Sequence, residues 1–247
     1  MTTERAPVNN RAGIVGWLDR TFYADVQDWW DDKAFRAFIL QRLQPHHELL
    51  DLGAGAGIVV EMNFKDHAKR VCGLDPDPRV VDNPYLHEAQ VGLGEHIPWP
   101  DGTFDIVVAD NVLEHLENPT AVFREVARVL KPGGRFLFKT PNRRHYMPLI
   151  ARLTPLGFHR FYNRLRGRAS EDTFPTVYKA NRPADVEAAA RPAGMELTAV
   201  ELIESRPEYL RITAISYMAG ILYERLVNMG SALASLRVLL IGELTKK

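Results

Sequence analysis

The 247-residue sequence predicts a single α/β domain built on a doubly wound, mostly parallel sheet, and three observations carry that prediction. Strand-like apolar runs alternate with helical segments from residue 48 onward. One such run ends in a glycine turn, Leu49-Leu50-Asp51-Leu52-Gly53-Ala54-Gly55-Ala56-Gly57. A second, Val71-Cys72-Gly73-Leu74, closes on Asp75, eighteen positions after Gly57. Alternation of this kind requires right-handed crossovers between parallel strands. With 46% apolar and 25% charged residues, the chain can bury one sizeable core.

Taken in order, residues 1–45 read as a helical cap. Residues 14–44 hold two helices rich in aromatics (Trp17, Phe22, Tyr23, Trp29, Trp30, Phe35, Phe38), and Pro45 stops the second. Residues 46–140 and 183–204 read as the core. Its expected elements are strand 48–52, a short helix after Gly57, strand 70–74, a strand near 89–93, strand 104–109, helix 119–130 and strand 135–140. Pro76, Pro78 and Pro84 crowd the link between the second and third strands, which predicts a loop there in place of a helix. Residues 141–182 interrupt the alternation, which resumes with helix 183–193 and strand 195–204. Because this insert follows the fifth strand, it starts at the carboxyl edge where open α/β sheets bind ligands, and it reads as a lid or substrate wall. Residues 205–247 form an apolar tail, expected to be helical. Arg211, Glu224, Arg225 and Arg237 break it into runs shorter than the roughly 18 residues a membrane span needs. The tail admits three readings: packing on the sheet, a homodimer interface, or a face resting on membrane or lipid.

Zero formal net charge argues against gross affinity for nucleic acid. The charges are uneven, however. Residues 141–182 carry nine Lys or Arg against two acids, an excess that suggests an anionic acceptor. The one cysteine, Cys72, lies on a predicted strand and reads as core in a reducing compartment. A polar start without an apolar signal core points to a cytoplasmic protein, peripheral to membrane only if the tail rests there.

The glycine spacing separates two classes of nucleotide-like ligand. A dinucleotide fingerprint places its third glycine where this chain has Ile58, one residue after Gly57. The G-x-G-x-G form, with Asp51 just upstream, resembles motif I of the class I S-adenosylmethionine methyltransferases. Three later segments resemble that family's next signatures in order: Gly92 to Asp110, Val112-Leu113-Glu114-His115-Leu116-Glu117-Asn118-Pro119, and Val129-Leu130-Lys131-Pro132-Gly133-Gly134. The resemblance covers roughly residues 49–142. It implies a Rossmann-like, seven-stranded sheet and S-adenosyl-L-methionine as cofactor. It further implies that Asp75 accepts the ribose hydroxyls, that Asp51 helps hold the methionine ammonium, and that the backbone of Gly53, Ala54, Gly55 and Gly57 passes close to the ligand, with Pro76 and Asp110 beside it. Leu93-Gly94 stands where the family often has Asp-Ala, leaving backbone near Gly94, with Glu95, to read the adenine.

Asp110-Asn111-Val112-Leu113 lacks the prolines and aromatic ring of the amino-methylating members, and Glu114-His115 is commoner among small-molecule and quinone-type O- and C-methyltransferases. Asn111 replaces a glutamate of the metal-dependent small-RNA 2′-O-methyltransferases, so no metal is expected. Trp29-Trp30-Asp31 resembles a Trp-Trp-Asp of ubiquinone-pathway O-methyltransferases. The catalytic candidates are His115 and His145, either suited to act as general base near an ordinary pKa of about 6.5, with His159 a rival; hydrogen bonding of a loop explains His115 equally well. Trp30, Arg143, Arg144, Tyr146 and Tyr178 are the substrate-binding candidates. The expected activity is methyl transfer to an oxygen, in preference to carbon, of a small or lipid-like anionic metabolite. The rival readings are an RNA 2′-O-methyltransferase using the basic insert, and a non-catalytic partner subunit.

Overall fold

In the computed structural model, which describes residues 13–26, 28–148 and 175–247, seven strands form one sheet in the order β3-β2-β1-β4-β5-β7-β6. They are β1 (Glu48–Leu52), β2 (Arg70–Asp75), β3 (Glu88–Val91), β4 (Phe104–Asp110), β5 (Leu130–Pro141), β6 (Met195–Ile203) and β7 (Leu239–Lys246). β1 pairs in parallel with β2 and β4, placing Leu50 beside Cys72 on one side and Val107 on the other. Strands buried on both faces read as continuous apolar runs, which is why β1 and β4 showed no alternation. The chain winds outward from β1 in one direction and returns to β4 in the other. That reversal opens a crevice at the carboxyl edge, the usual ligand position in such sheets.

Helices cover both faces. On one, Val122, Phe123 and Val126 of α3 (Pro119–Val129) and Val186 of α4 (Pro183–Ala190) pack with Leu50, Val107, Phe136 and Phe138. The start of α3 is specified locally. Asn118 accepts the Ala121 N–H at 3.2 Å and Pro119 occupies the first turn, where its missing donor costs nothing. On the other face, Phe35, Phe38 and Ile39 of α2 (Trp30–Leu40) pack with Leu49, Val71, Ile106 and Leu137. The N-terminal α1 (Gly13–Phe22) rests on α5 (Ala214–Asn228), where Asp19 meets both Arg211 and the Tyr217 hydroxyl at 2.5 Å.

Two expectations need correction. The helix after Gly57 is a single 3-10 turn, Val60–Met62. Ile58, Val59 and Val60 are β-branched and stiff, and α2 already covers that face, with Arg36 donating to the carbonyls of Glu61 and Asn63 at 2.6 and 2.8 Å. The tail is also not helical throughout. Leu239–Lys246 is β7, inserted antiparallel between β5 and β6, so the apolar Leu239-Leu240-Ile241 run is a strand buried in the sheet. Gly242 is required there, since a Cβ would stand 2.3 Å from the Phe138 ring. The outer face of α5 shows Ile215, Met218 and Leu222 exposed, with Met229 exposed just past its end. Among the described residues no helix is long and apolar enough to cross a membrane.

Candidate functional site

Past β1 the chain reverses through three left-handed glycines, with φ of +81° at Gly53, +53° at Gly55 and +73° at Gly57. Two of them also sit where side chains do not fit. A Cβ at Gly53 would stand 2.3 Å from the Val112 side chain, and one at Gly57 would stand 2.5 Å from the Asn83 amide oxygen. The Gly53 N–H donates to the Leu74 carbonyl at 2.8 Å, and the Gly55 N–H to Asp75 Oδ2 at 2.8 Å. From the proline-rich loop, the buried Asn83 donates to the carbonyls of Ala54 and Gly55 at 3.0 and 3.1 Å, fixing the turn from behind. Sequence reasoning missed Asn83, which carries no signal beyond being an asparagine in a loop.

Three acids end or line strands around this turn. Asp75 accepts the N–H groups of Gly55 and Asp77, each at 2.8 Å, and offers its remaining lone pairs to the crevice. Asp51 is buried, and among the described residues no group donates to its carboxylate. Burial first, then the charges of Asp110 and Asp75, hold the Asp51 carboxyl well above the usual range. Asp110 is raised to about 6, chiefly by burial, with Lys139 at 2.9 Å opposing the shift and Asp32 adding to it. Lys139 is fully buried on β5 and contacts Asp32 and, at 3.4 Å, Asp31 of α2. A lone lysine in an apolar strand run was the signal that would have identified it.

These groups open into a cavity of about 1330 Å³ that reaches from the glycine turn to the segment 204–209 and Val238. Single-ligand pockets occupy roughly 300–1,000 Å³, so the volume accommodates two ligands side by side. Asp51, Gly53, Ala54, Gly57, Asp75, Pro76, Gly94, Glu95, Asp110, His115, Trp30 and Tyr146 all lie on its wall. Gly55, Arg143, Arg144, Tyr178 and His145 do not. Gly55 is turned to Asp75. Arg143 pairs with Asp185 at 3.3 Å, Arg144 is exposed, and the Tyr178 N–H donates to the Glu114 carbonyl at 3.1 Å. His145, only 1% exposed, lies behind the wall, where burial lowers its pKa to about 3. The remaining basic residues of the insert from Arg152 to Arg168, and His159, lie outside the described residues.

His115 belongs to a 3-10 turn, Leu113–His115. Its Nδ1 is 2.8 Å from the Pro175 carbonyl; a carbonyl only accepts, so Nδ1 carries a proton, and in the neutral tautomer the lone pair is on Nε2. The neighbouring Glu114 is buried and accepts the Thr140 hydroxyl at 2.9 Å, while its own carbonyl receives the N–H groups of Val177 and Tyr178. The turn is thereby tied to both β5 and the segment 175–178.

An acid-lined glycine turn at the reversal point of a parallel sheet, beside a cavity with room for two ligands, defines a fold and site of the cofactor-dependent transferase type. Residues 50–138 match the methyltransferase domain family. The chain is 33% identical to a ubiquinone biosynthesis O-methyltransferase of Sodalis glossinidius over 45% of its own length and 51% of that protein. It is 28% identical to the enzyme of the same name from Xanthomonas axonopodis pv. citri over 82% of its length and 91% of that protein. With the first curated relatives it matches, the chain spans about half of their length, 44% to 51%. The fold is shared with an S-adenosylmethionine dependent methyltransferase from Mesorhizobium loti, at 19% identity and a TM-score of 0.55, covering 90% of this chain and 99% of that one. A [4+2]-cyclase shares it too, at 17% identity and a TM-score of 0.54, covering 89% and 82%. Residues 50–138 thus form a methyltransferase domain, and the chain is similar in sequence and in fold to S-adenosylmethionine-dependent methyltransferases, whose cofactor is S-adenosylmethionine.

Proposed function

We propose that this chain transfers a methyl group from S-adenosylmethionine to an oxygen of a small or lipid-like acceptor. The observation that carries the reading is the buried Asp51 carboxylate, which faces Asp75 and Asp110 and receives no donor among the described residues. A buried acid of that kind is costly until a cation arrives, and the methionine ammonium of the cofactor supplies one. The residues present fit the cofactor. Asp75 would take the ribose hydroxyls, Asp51 the ammonium, the Gly53–Gly57 backbone the methionine chain, and Gly94 with Glu95 the adenine edge. When bound, the cofactor supplies a sulfonium methyl with a good leaving group.

The protein's part is alignment and exclusion of water, which can lower a barrier by up to roughly 7–11 kcal/mol. His115, its Nδ1 proton committed to Pro175, can accept the proton of an acceptor hydroxyl at Nε2. The described wall favours an uncharged acceptor end over an anionic one, because its cation Arg206 is engaged by Asp28 and Glu208 at 2.9 and 2.5 Å. Support for an anionic acceptor rests on the basic residues of the segment 141–182 alone. Calorimetric titration with S-adenosylmethionine tests the reading: Asp51→Asn and Asp75→Ala should each weaken binding about tenfold or more, and unchanged affinity in both would overturn it.

A further inference from the structure

Glu204 is an ionisable group on the cavity wall that lies away from the cofactor end. Glu204 directly follows β6 at the carboxyl edge, and β6 lies five strand intervals from β2, which at ~4.8 Å per strand is roughly 24 Å across the sheet. Its side chain is 2% exposed. Oε2 accepts the Val238 N–H at 2.8 Å and lies 3.6 Å from Nε2 of His145. Oε1 has no hydrogen-bonding or ionic partner among the described residues. Tyr146, Pro207, Tyr209, Val238 and Leu239 give this part of the wall its apolar and aromatic surface, and the two charged groups of the same segment, Arg206 and Glu208, pair with each other.

His145 is arranged as a support. Its Nδ1 accepts the Met147 N–H at 3.3 Å, which leaves the ring proton on Nε2, the atom nearest Glu204. The rings of Tyr146 and Tyr223 hold the imidazole at centroid distances of 3.9 and 5.5 Å, and the Tyr223 hydroxyl is itself fixed to the Leu236 carbonyl at 2.7 Å.

We propose that Glu204, backed by His145, is the hydrogen-bonding anchor of an acceptor subsite that takes an uncharged, hydroxyl-bearing ring. The proposal rests on the methyltransferase reading for the chemistry at the other end of the cavity. Its chemical logic is that of a buried carboxyl with which, among the described residues, no Lys or Arg forms an ion pair. Glu224 and Tyr223 face it from α5, Tyr23 from the segment after α1, and His145 from the segment after β5. Arg237, ahead of β7, donates to the carbonyls of Leu202 and Val227 at 3.1 and 3.2 Å, and Arg206 is engaged by Asp28 and Glu208. Burial above all, then Glu224, raises the Glu204 pKa to about 8, against the lowering effects of the Val238 N–H and Arg237. At neutral pH the group is therefore a neutral acid, able both to donate to and accept from a hydroxyl. Among the described residues an anionic acceptor meets no available cation at this end, and an ammonium acceptor meets a carboxyl that has kept its proton.

Calorimetric titration of the full chain with catechol, with and without S-adenosylhomocysteine, tests the subsite. Catechol should bind, and 3,4-dihydroxybenzoate and dopamine should bind about tenfold more weakly or worse. Glu204→Ala should weaken catechol binding by about tenfold and leave S-adenosylhomocysteine affinity unchanged. Glu204→Gln should bind catechol within about threefold of the unsubstituted protein at about pH 6.5, and should lack the change in affinity that the unsubstituted protein shows between about pH 6.5 and 8.5. If the alanine variant does not fold, the pH comparison with the glutamine variant decides alone. No catechol binding, tighter binding of the carboxylate or amine analogue, or a glutamine variant with an unaltered pH response would overturn the proposal. Loss of S-adenosylhomocysteine binding in the unsubstituted protein would instead strike the methyltransferase reading, and the cofactor-free catechol titration separates the two failures.

Discussion

The two ends of the cavity are built on opposite plans. At the end we assign to the cofactor, Asp51, the glycine turn, Asp75, Asn83, Gly94 and Asp110 come from one stretch of sixty residues, and the shape is held mainly by backbone amides and carbonyls. At the end we propose for the acceptor, Trp30, His115, Tyr146, Glu204, Tyr209 and Val238 come from segments scattered over the chain, and their side chains define the surface. A backbone-built site depends on φ values and close approach, so it tolerates few substitutions. A side-chain-built site can change its ligand by exchanging a few residues on an unchanged sheet. The [4+2]-cyclase that shares this fold shows how far reactions diverge on it.

Lys139 belongs to neither plan and joins both, since it links α2 to the end of β4 beneath the cavity. Lys139→Ala leaves Asp110 and Asp32 buried without this cation. It should cost about 3–5 kcal/mol by urea denaturation, and a loss below about 1 kcal/mol would show that the two ends are held independently. Gly57→Ala comes next. The left-handed φ and the clash with Asn83 and Pro84 add roughly 1–3 kcal/mol of strain, so S-adenosylmethionine affinity should fall about ten- to a hundredfold while acceptor affinity holds. Asn83→Ala removes two hydrogen bonds to the turn and should weaken the same affinity by about tenfold, again sparing the acceptor.

Protonation offers a finer distinction between the ends. Asp51 is raised by burial, and a cationic ligand favours its ionised form. Cofactor binding should therefore release protons and strengthen as pH rises, in a manner that Asp51→Asn abolishes; calorimetry in buffers of differing ionisation heat reads this directly. The raised Glu204 acts on the free protein. The folded state holds its proton up to about pH 8 while the unfolded chain releases it near the ordinary value, so stability falls as pH climbs through that window, and Glu204→Gln should flatten the fall in thermal melts. The smallest effect is expected at the exposed Lys179–Glu117 pair near the mouth, where Lys179→Ala should change stability by about 0–1 kcal/mol and neither affinity.

The legibility of the site followed the same division. The glycine turn, Asp51 and Asp75 were readable because each answers a local rule: a strand, a turn too tight for Cβ atoms, a strand-end acid. Glu204 obeys that last rule as well, closing the predicted strand 195–204, but no glycine motif accompanies it to mark a ligand edge. His145 has the chemistry of a base, but its place behind Tyr146 and Glu204 depends on packing against α5, a contact 78 residues away with Tyr223. Arg143, Arg144 and Tyr178 have suitable chemistry, but the folded chain pairs Arg143 with Asp185, exposes Arg144 and ties the Tyr178 backbone to Glu114.

Order along the chain was enough to specify the parallel core and its ligand edge, because the hydrophobic period and the turn residues act over a few positions. Whether the final apolar run became a helix or β7 was settled by the empty berth between β5 and β6, where an antiparallel strand satisfies the hydrogen bonds of both. Likewise, nothing near Lys139 in the chain foretells Asp31, Asp32 or Asp110. Those carboxylates meet one ammonium only after α2 has docked on the sheet, since charges separated by long loops are brought together by burial of the apolar surfaces that carry them.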